Sequence, residues 1–335
     1  MARSLHSIEL DLPETVEAPR ADRRQAPKSQ ALWLAVCLPN LAFEILPQPV
    51  SHTPAVIVEA EHGQLTVVST NTSARAAGIE AGCKLSTAFA LAASLQAFER
   101  SPRAERASLE ALAAWAEVLT SLASIEAPEG LLLEVAGSLR LFRSLEAIKA
   151  KVCNELTRRA LTFRLCVAPT ATAALWLARA AGADVLSANE LAGSLSALPL
   201  AVTHWPQAVQ ELLRDLGVRT LGECARLPRD GFARRAGLAC LHELDRAYGR
   251  RVDVRMGFNR PVRFRSKIEL FEESTDSAIF VEAIEQILDQ LGAELRMKQA
   301  QIRTFEIGFD HLRRAPTIEK FELLSLLTTR NACCT

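Results

Sequence analysis

Two short apolar runs constrain the fold more than any other feature of this 335-residue chain: Leu32–Leu38 (LWLAVCL) and Leu131–Ala136 (LLLEVA). Each is too short for a packed helix and reads as a strand buried on both faces. The first stops at Pro39, and the second is opened by a Pro128-Glu129-Gly130 turn. Such strands need cover on both sides, and the chain supplies it. Glu105–Ser124 carries Leu109, Leu112, Ala113, Ala116 and Leu119 at helical spacing, and Leu145–Ala160 is amphipathic. Phe163–Val167 reads as a further strand, ended by Pro169. Strand, helix, strand, helix, strand predicts an α/β (α+β) layer.

Other segments attach to this frame. Residues 1–29 are polar and mixed in charge, with three prolines, which predicts a disordered leader. Pro54–Ala60 and Leu65–Thr70 bracket His62-Gly63 as a hairpin, and alanine-rich Thr72–Leu95 predicts short helices with corners at Gly78 and Gly82. From Asn189 to Gly249 the pattern is helical, broken at Pro206, Gly217, Pro228 and Gly237. Residues 250–262 are basic and read as a linker. Arg263–Phe271, Ser277–Gln299 and Ile302–Phe309 then form a strand, helix and strand, a separate small βαβ domain.

Composition and motifs exclude several kinds of chemistry. Acids and bases balance at 39 each, so no bulk charge announces a nucleic-acid partner. The eight cysteines have no CxxC spacing, sit largely in apolar runs and read as small buried hydrophobes in a reducing cytoplasm. The first apolar run begins near Ala31, which predicts no secretory signal, and it is far below the roughly 20 residues of a membrane span. No P-loop or dinucleotide fingerprint is present, and His242-Glu243 lacks the second histidine of a zincin, so no cofactor or metal is expected. Local charge says more. Between Arg214 and Lys267 stand fourteen Lys or Arg against six Asp or Glu, a net +8, densest at Arg234-Arg235, Arg250-Arg251, Arg263, Arg265 and Lys267. A solvated face and a phosphate-backbone contact both fit that cluster.

Taken together, several segments resemble the Y family of translesion DNA polymerases, collinearly over about residues 30–325. VVSTNTSARAAGIEAGCKLSTAFAL (Val67–Leu91) is similar to the family's fingers, EGLLLEV (Glu129–Val135) to the palm strand with its acidic pair, and FRLCVAPTATAALWLARAAG (Phe163–Gly182) to the palm strand and following helix. LPLAVTHWPQAVQELLRDLGVRTLGECARLP (Leu198–Pro228) is similar to the thumb, and the βαβ unit from Arg263 to the start of the little finger. The resemblance implies a palm-like domain at 30–42 and 95–185, a fingers-like insertion at 43–94, a thumb-like domain at 186–250, a linker at 251–262 and a partial little finger at 263–335.

The departures from the family carry the functional reading. An active member holds two Mg²⁺ with carboxylates on two palm strands. Here Cys37 and Pro39 occupy the first strand's acidic positions, and at the second strand Glu129 keeps one acid while Gly130 replaces its neighbour. In the nucleotide pocket the resemblance sets the aromatic gate near Ala42 and the stacking tyrosine at Thr72, the phosphate-contacting arginine survives as Arg75, and Ala181-Gly182-Ala183 replaces a lysine-bearing loop. With LWLAVCLPNLAFEIL and GLLLEVAGSLRLF, the pattern resembles the inactive, ImuB-type branch of the family found in bacterial mutasomes, C-terminally shortened here. That resemblance implies a non-catalytic DNA-binding scaffold in SOS-type error-prone synthesis, working with an ImuA-like protein, an error-prone C-family polymerase and the sliding clamp. An active polymerase with other ligands and a plain DNA-binding module are the alternatives. Leu323–Leu327 (LLSLL) reads either as a strand of the last domain or as an imperfect clamp-binding peptide.

Overall fold

The computed structural model describes residues 5–11, 31–48, 50, 53–61, 63–259, 264–274, 277–298, 302, 304–311 and 314–323. Contacts divide the chain into two compact units, Arg24–Phe258, and Met1–Arg23 with Asn259–Thr335. Strand β1 (Leu5–Asp11) belongs to the second unit, and β2 (Trp33–Cys37) opens the first. A one-turn helix α1 (Leu41–Glu44) follows, then β3 (Ala55–Glu61), β4 (Gln64–Thr70), α2 (Thr72–Ala76), α3 (Leu85–Leu91) and β5 (Gln96–Glu99). Next come α4 (Pro102–Ala116), β6 (Ala123–Glu126), β7 (Gly130–Glu134), α5 (Leu139–Phe142), α6 (Leu145–Arg158), β8 (Arg164–Ala168) and α7 (Ala171–Arg179).

The central sheet has the order β6-β7-β2-β8, and every pairing in it is antiparallel. β2 is buried along its whole length because both faces are covered. Successive side chains alternate between the faces. Trp33, Ala35 and Cys37 pack with α7 and the helices that follow it, whereas Leu34 and Val36 pack with α4 and α6. The unbroken apolar run therefore reports two-sided cover, and it does so in an antiparallel sheet. Helix α4 stops at Ala116, and the expected extension to Ser124 is instead a turn and the edge strand β6. Thr120 accounts for part of this: its hydroxyl donates to the carbonyl of Glu134 and accepts from the amide of Leu122, fixing the turn against β7.

A three-stranded sheet of order β4-β3-β5 forms the next layer, with the β3–β4 hairpin where expected. β5 pairs in parallel with β3, so residues 95–99 belong to this layer and not to the central sheet, a correction to the boundary at residue 94. After α7 the chain is helical: α8 (Ala188–Ser196), α9 (Gln207–Asp215), α10 (Leu221–Arg226), α11 (Arg229–Ala236) and α12 (Leu238–Ala247). The predicted breaks recur as helix boundaries. Pro206 and Pro228 precede α9 and α11, and Gly217 and Gly237 take φ of +80° and +91°, a region that favours glycine. Trp205 anchors these helices on α7, 6.1 Å edge-on from Trp176 and 5.8 Å from Phe232.

Residues 251–258, expected as a free linker, are docked on the first unit. The amide of Phe258 donates to the carbonyl of Ala123, and Asp253 accepts from both the amide and the hydroxyl of Thr172. The apolar–polar pattern is inverted there: Val252, Val254 and Met256 are exposed, while Asp253 and Arg255 face inward.

The second unit corrects a further expectation. Its sheet, of order β11-β10-β1-β9, is built from β9 (Arg265–Ser274), β10 (Thr304–His311), β11 (Arg314–Glu322) and the N-terminal β1, backed by α13 (Ser277–Lys298). The expected disordered leader thus supplies a strand at residues 5–11, antiparallel to both β9 and β10, with Ile8 and Leu10 fully buried. The strand β11 ends before LLSLL, and residues 324–327 of that run lie outside the described residues. Among the described residues no helix is long and apolar enough to cross a membrane.

Candidate functional site

The strand register brings the sequence-predicted positions together. Cys37 ends β2 directly opposite Gly130 on β7, and the amide of Leu38 donates to the carbonyl of Glu129 at 2.8 Å. Glu129 sits in the turn between β6 and β7, with Oε1 3.7 Å from Cys37 Sγ. Pro39 follows at the turn into α1 and offers only carbon.

Two residues that sequence reasoning did not single out complete the cluster. Arg179 is the last residue of α7; its Nε lies 3.4 Å from Glu129 Oε1, and an Nη donates to the carbonyl of Val202 at 2.8 Å. Its side chain is 10% exposed, so the ion pair is largely withdrawn from water. His204, held at φ 55°, brings Nε2 to 3.6 Å from the same carboxylate oxygen. No spacing in the sequence marks these two, because they reach Glu129 from elements 50 and 75 residues further along (179 and 204 against 129).

Electrostatics follow from this packing. Burial, and then the neighbouring Glu129 carboxylate, push the Cys37 thiol up to about 12, so it stays protonated at neutral pH. Burial followed by the Arg179 charge depresses the His204 imidazole, which favours its neutral form. Burial also lowers Arg179, opposed first by Glu129. An added Cβ at Gly130 would meet the Glu126 carbonyl oxygen at 2.9 Å and Leu175 Cδ1 at 3.1 Å, so no second acid has room there. A magnesium pair needs several hard oxygen ligands. The cluster offers one carboxylate already facing a guanidinium, a protonated thiol, a proline and a glycine. These residues do not fit two magnesium ions, and no group of three or more His, Cys, Asp and Glu with metal-holding geometry occurs among the described residues.

Beside the cluster a cleft of about 410 Å³ is lined by Asn40, Phe43, Glu44, Asn71, Thr72 and Arg75 among others. Thr72 and Arg75 both line this cleft, and Ala42 is not among its lining residues. The aromatic wall is Phe43, one residue beyond Ala42. Asn71 is committed to structure: its Oδ1 accepts from the amides of Ala55 and Ala74. Ala181 and Gly182 close the end of α7 through backbone bonds.

The basic residues differ in exposure and in the partners they hold. Arg234 and Arg235 are exposed on α11, and Arg250 and Arg251 are exposed just past α12, with Arg250 5.1 Å over the Tyr248 ring. Arg265 and Lys267 are exposed on β9 of the second unit, where Lys267 Nζ pairs with Asp310 at 3.1 Å. Arg263 lies outside the described residues. Other arginines counted in the +8 stretch are engaged in ion pairs, Arg229 from an exposed position and Arg255 from a largely buried one. Arg229 forks onto Asp245 at 2.7 and 2.6 Å, and Arg255 pairs with Glu126 and Asp253 at 3.0 and 3.1 Å.

Residues 43–179 match the impB/mucB/samB family. Protein ImuB from two strains of Caulobacter vibrioides is 29% identical over 238 residues, which are 70% of this chain and 52% of theirs. The chain thus spans about half the length of the curated relatives it matches. Among solved structures it is similar to DinB from Sulfolobus solfataricus (TM-score 0.55, 14% identity, 77% of this chain and 94% of that one). A Y-family DNA polymerase chimera (0.54, 14%, 78% and 93%) and the insertion ternary complex of Dbh DNA polymerase (0.54, 14%, 77% and 94%) match similarly. The fold is that of the Y-family polymerases.

Proposed function

From an ImuB-like chain on a Y-family polymerase fold as premise, we propose a non-catalytic, DNA-binding scaffold for error-prone translesion synthesis and DNA repair. One observation carries the reading: Glu129, the carboxylate that the resemblance sets at a metal-ligand position, faces the buried Arg179 guanidinium. In an active polymerase, carboxylates and metal ions balance each other's charge. Here a fixed cation takes the neutralising part, so the frame holds its shape without a divalent ion. A guanidinium cannot do what a metal does at this point, which is to activate a primer hydroxyl and bridge an incoming triphosphate.

The polymerase frame retains a use without chemistry. Phosphate contacts alone can hold a primer-template, and exposed arginine forks suit them. Arg234, Arg235, Arg250 and Arg251 are the residues of the first unit we assign to that contact, with Arg263, Arg265 and Lys267 in the second. Lys267 contributes least, since it already has Asp310. A scaffold of this kind acts through partners, which by resemblance are an ImuA-like protein, an error-prone C-family polymerase and the sliding clamp, in the cytoplasm.

Salt-dependent DNA binding tests this reading. Four to six phosphate contacts give a slope of log affinity against log salt of roughly −4 to −5 on duplex. Charge reversal at Arg234 and Arg235 lowers affinity alike on every sequence and flattens the slope by about one for each phosphate no longer neutralised. An affinity independent of salt, or no binding at low salt, overturns the DNA-contact assignment.

A further inference from the structure

The central sheet has a second outer surface, on the face opposite Cys37. There the end of α4, the end of α5 and the C-terminal half of α6 leave a groove of about 380 Å³, floored by Trp115, Leu119 and Phe142 and edged by Val118. Val118 is 66% exposed, and Leu141, one residue before Phe142, is 75% exposed. Exposed apolar side chains that extend an apolar-floored groove add to the surface a partner would cover.

Charge around the groove says what would sit in it. Lys151 Nζ stands 5.9 Å over the Phe142 ring, and Arg158 on the rim is 69% exposed. The one acid lining the groove, Glu155, is buried and accepts from Arg158 and Arg159 at 2.7 Å each, which holds it down at about 2. One carboxylate thus faces two guanidiniums, leaving positive charge over. Arg140 and Arg143 flank Leu141 and Phe142, while Glu117 and Glu146 are the nearby exposed acids. Setting aside Lys149, which pairs with Asp184, five cations (140, 143, 151, 158, 159) oppose three acids (117, 146, 155), a net of +2.

We propose that this groove docks an amphipathic segment of a partner protein, one carrying apolar anchors flanked by acidic side chains. The proposal rests on the scaffold reading, in which the chain acts through partner proteins. Apolar anchors fill the Trp115–Leu119–Phe142 floor and displace water, while acidic flanks meet Lys151 and Arg158 and fix orientation. The surface lies across the sheet from the Glu129 cluster, so occupying it leaves that cluster and the helices from α8 to α12 uncovered.

The test uses the full chain and two labelled peptides of about 18 residues, long enough to hold a helix. Both carry Leu and Phe at helical spacing; one has Glu at every flanking position and the other Lys. Fluorescence anisotropy at moderate salt is expected to show the Glu peptide binding and the Lys peptide binding at least about tenfold more weakly. Val118→Glu and, independently, Leu141→Ser are expected to weaken the Glu peptide by about tenfold, with melting midpoints showing that both variants fold. Lys151→Glu with Arg158→Glu is expected to reverse the preference between the peptides. Equal binding of the two peptides, no binding of the Glu peptide up to about 1 mM, or unchanged affinity in both apolar variants overturns the proposal. DNA affinity measured on the same samples separates the two readings: its loss in the unaltered chain argues against the DNA-binding scaffold, whereas a peptide failure with DNA binding intact argues against the groove alone.

Discussion

Cys37→Asp restores an acid at the end of β2 without touching its neighbours, and Cys37→Asn gives the same shape without the charge. Cys37 is 1% exposed and its Sγ lies 3.7 Å from Glu129. Two like charges near 4 Å apart repel by about 4 kcal/mol at an effective dielectric constant of 20. Arg179 returns part of that, but it already serves Glu129, so a net cost of about 2–3 kcal/mol remains for the ionised form. The introduced carboxyl therefore has a folded-state pKa above its unfolded value. The folded state then binds more protons than the unfolded one, and stability falls as pH rises. Near pH 4 the two variants should melt together. Towards pH 8 the aspartate should fall behind by about 2–3 kcal/mol, or roughly 4–12 °C for a unit of this size. Urea and thermal melts of both variants across that range measure the gap, and contributions from other groups cancel in the difference. Parallel pH profiles would mean that position 37 is solvated or that Glu129 is elsewhere.

Other expectations follow from the same cluster. A double-mutant cycle on Arg179→Met and Glu129→Gln should give a coupling of about 1–3 kcal/mol, and additive effects would deny the ion pair. His204 is held below its ordinary value, so the unfolded state binds its proton first and stability is lost as pH falls below the usual histidine range. His204→Gln should flatten the stability slope between about pH 7 and 5, and an unchanged slope would place the imidazole in water. Asp253→Ala should loosen residues 251–258, read as faster amide exchange at Phe258, because it removes the acceptor for Thr172 and the partner of Arg255.

The sequence revealed those parts of the molecule whose physics is local. LWLAVCL fits a strand covered on both sides better than a helix because of its length, and the Pro and Gly breaks from Pro206 to Gly237 recur because those residues limit the backbone itself. Cys37, Glu129 and Gly130 met because each is fixed by the register of one sheet. Arg179 and His204 escaped notice because one ends an alanine-rich helix, the other follows a short 3₁₀ turn, and tertiary contacts such as Trp205 on Trp176 and Arg179 to the Val202 carbonyl join those segments. Leu5–Asp11 was obscured by its short alternation and by partner strands more than 250 residues away. Residues 251–258 inverted the usual rule, burying Asp253 and Arg255 under exposed Val252, Val254 and Met256, so hydrophobic pattern alone pointed the wrong way.

Template-directed primer extension by the purified chain, with Mg²⁺ and separately with Mn²⁺, bears most directly on the claim that Arg179 stands where an active enzyme needs metal. No extension above a mock-purified control is expected with either ion, at protein concentrations that saturate the primer-template. Extension that follows the template and disappears in Glu129→Gln would contradict it, showing that this carboxylate still serves a metal.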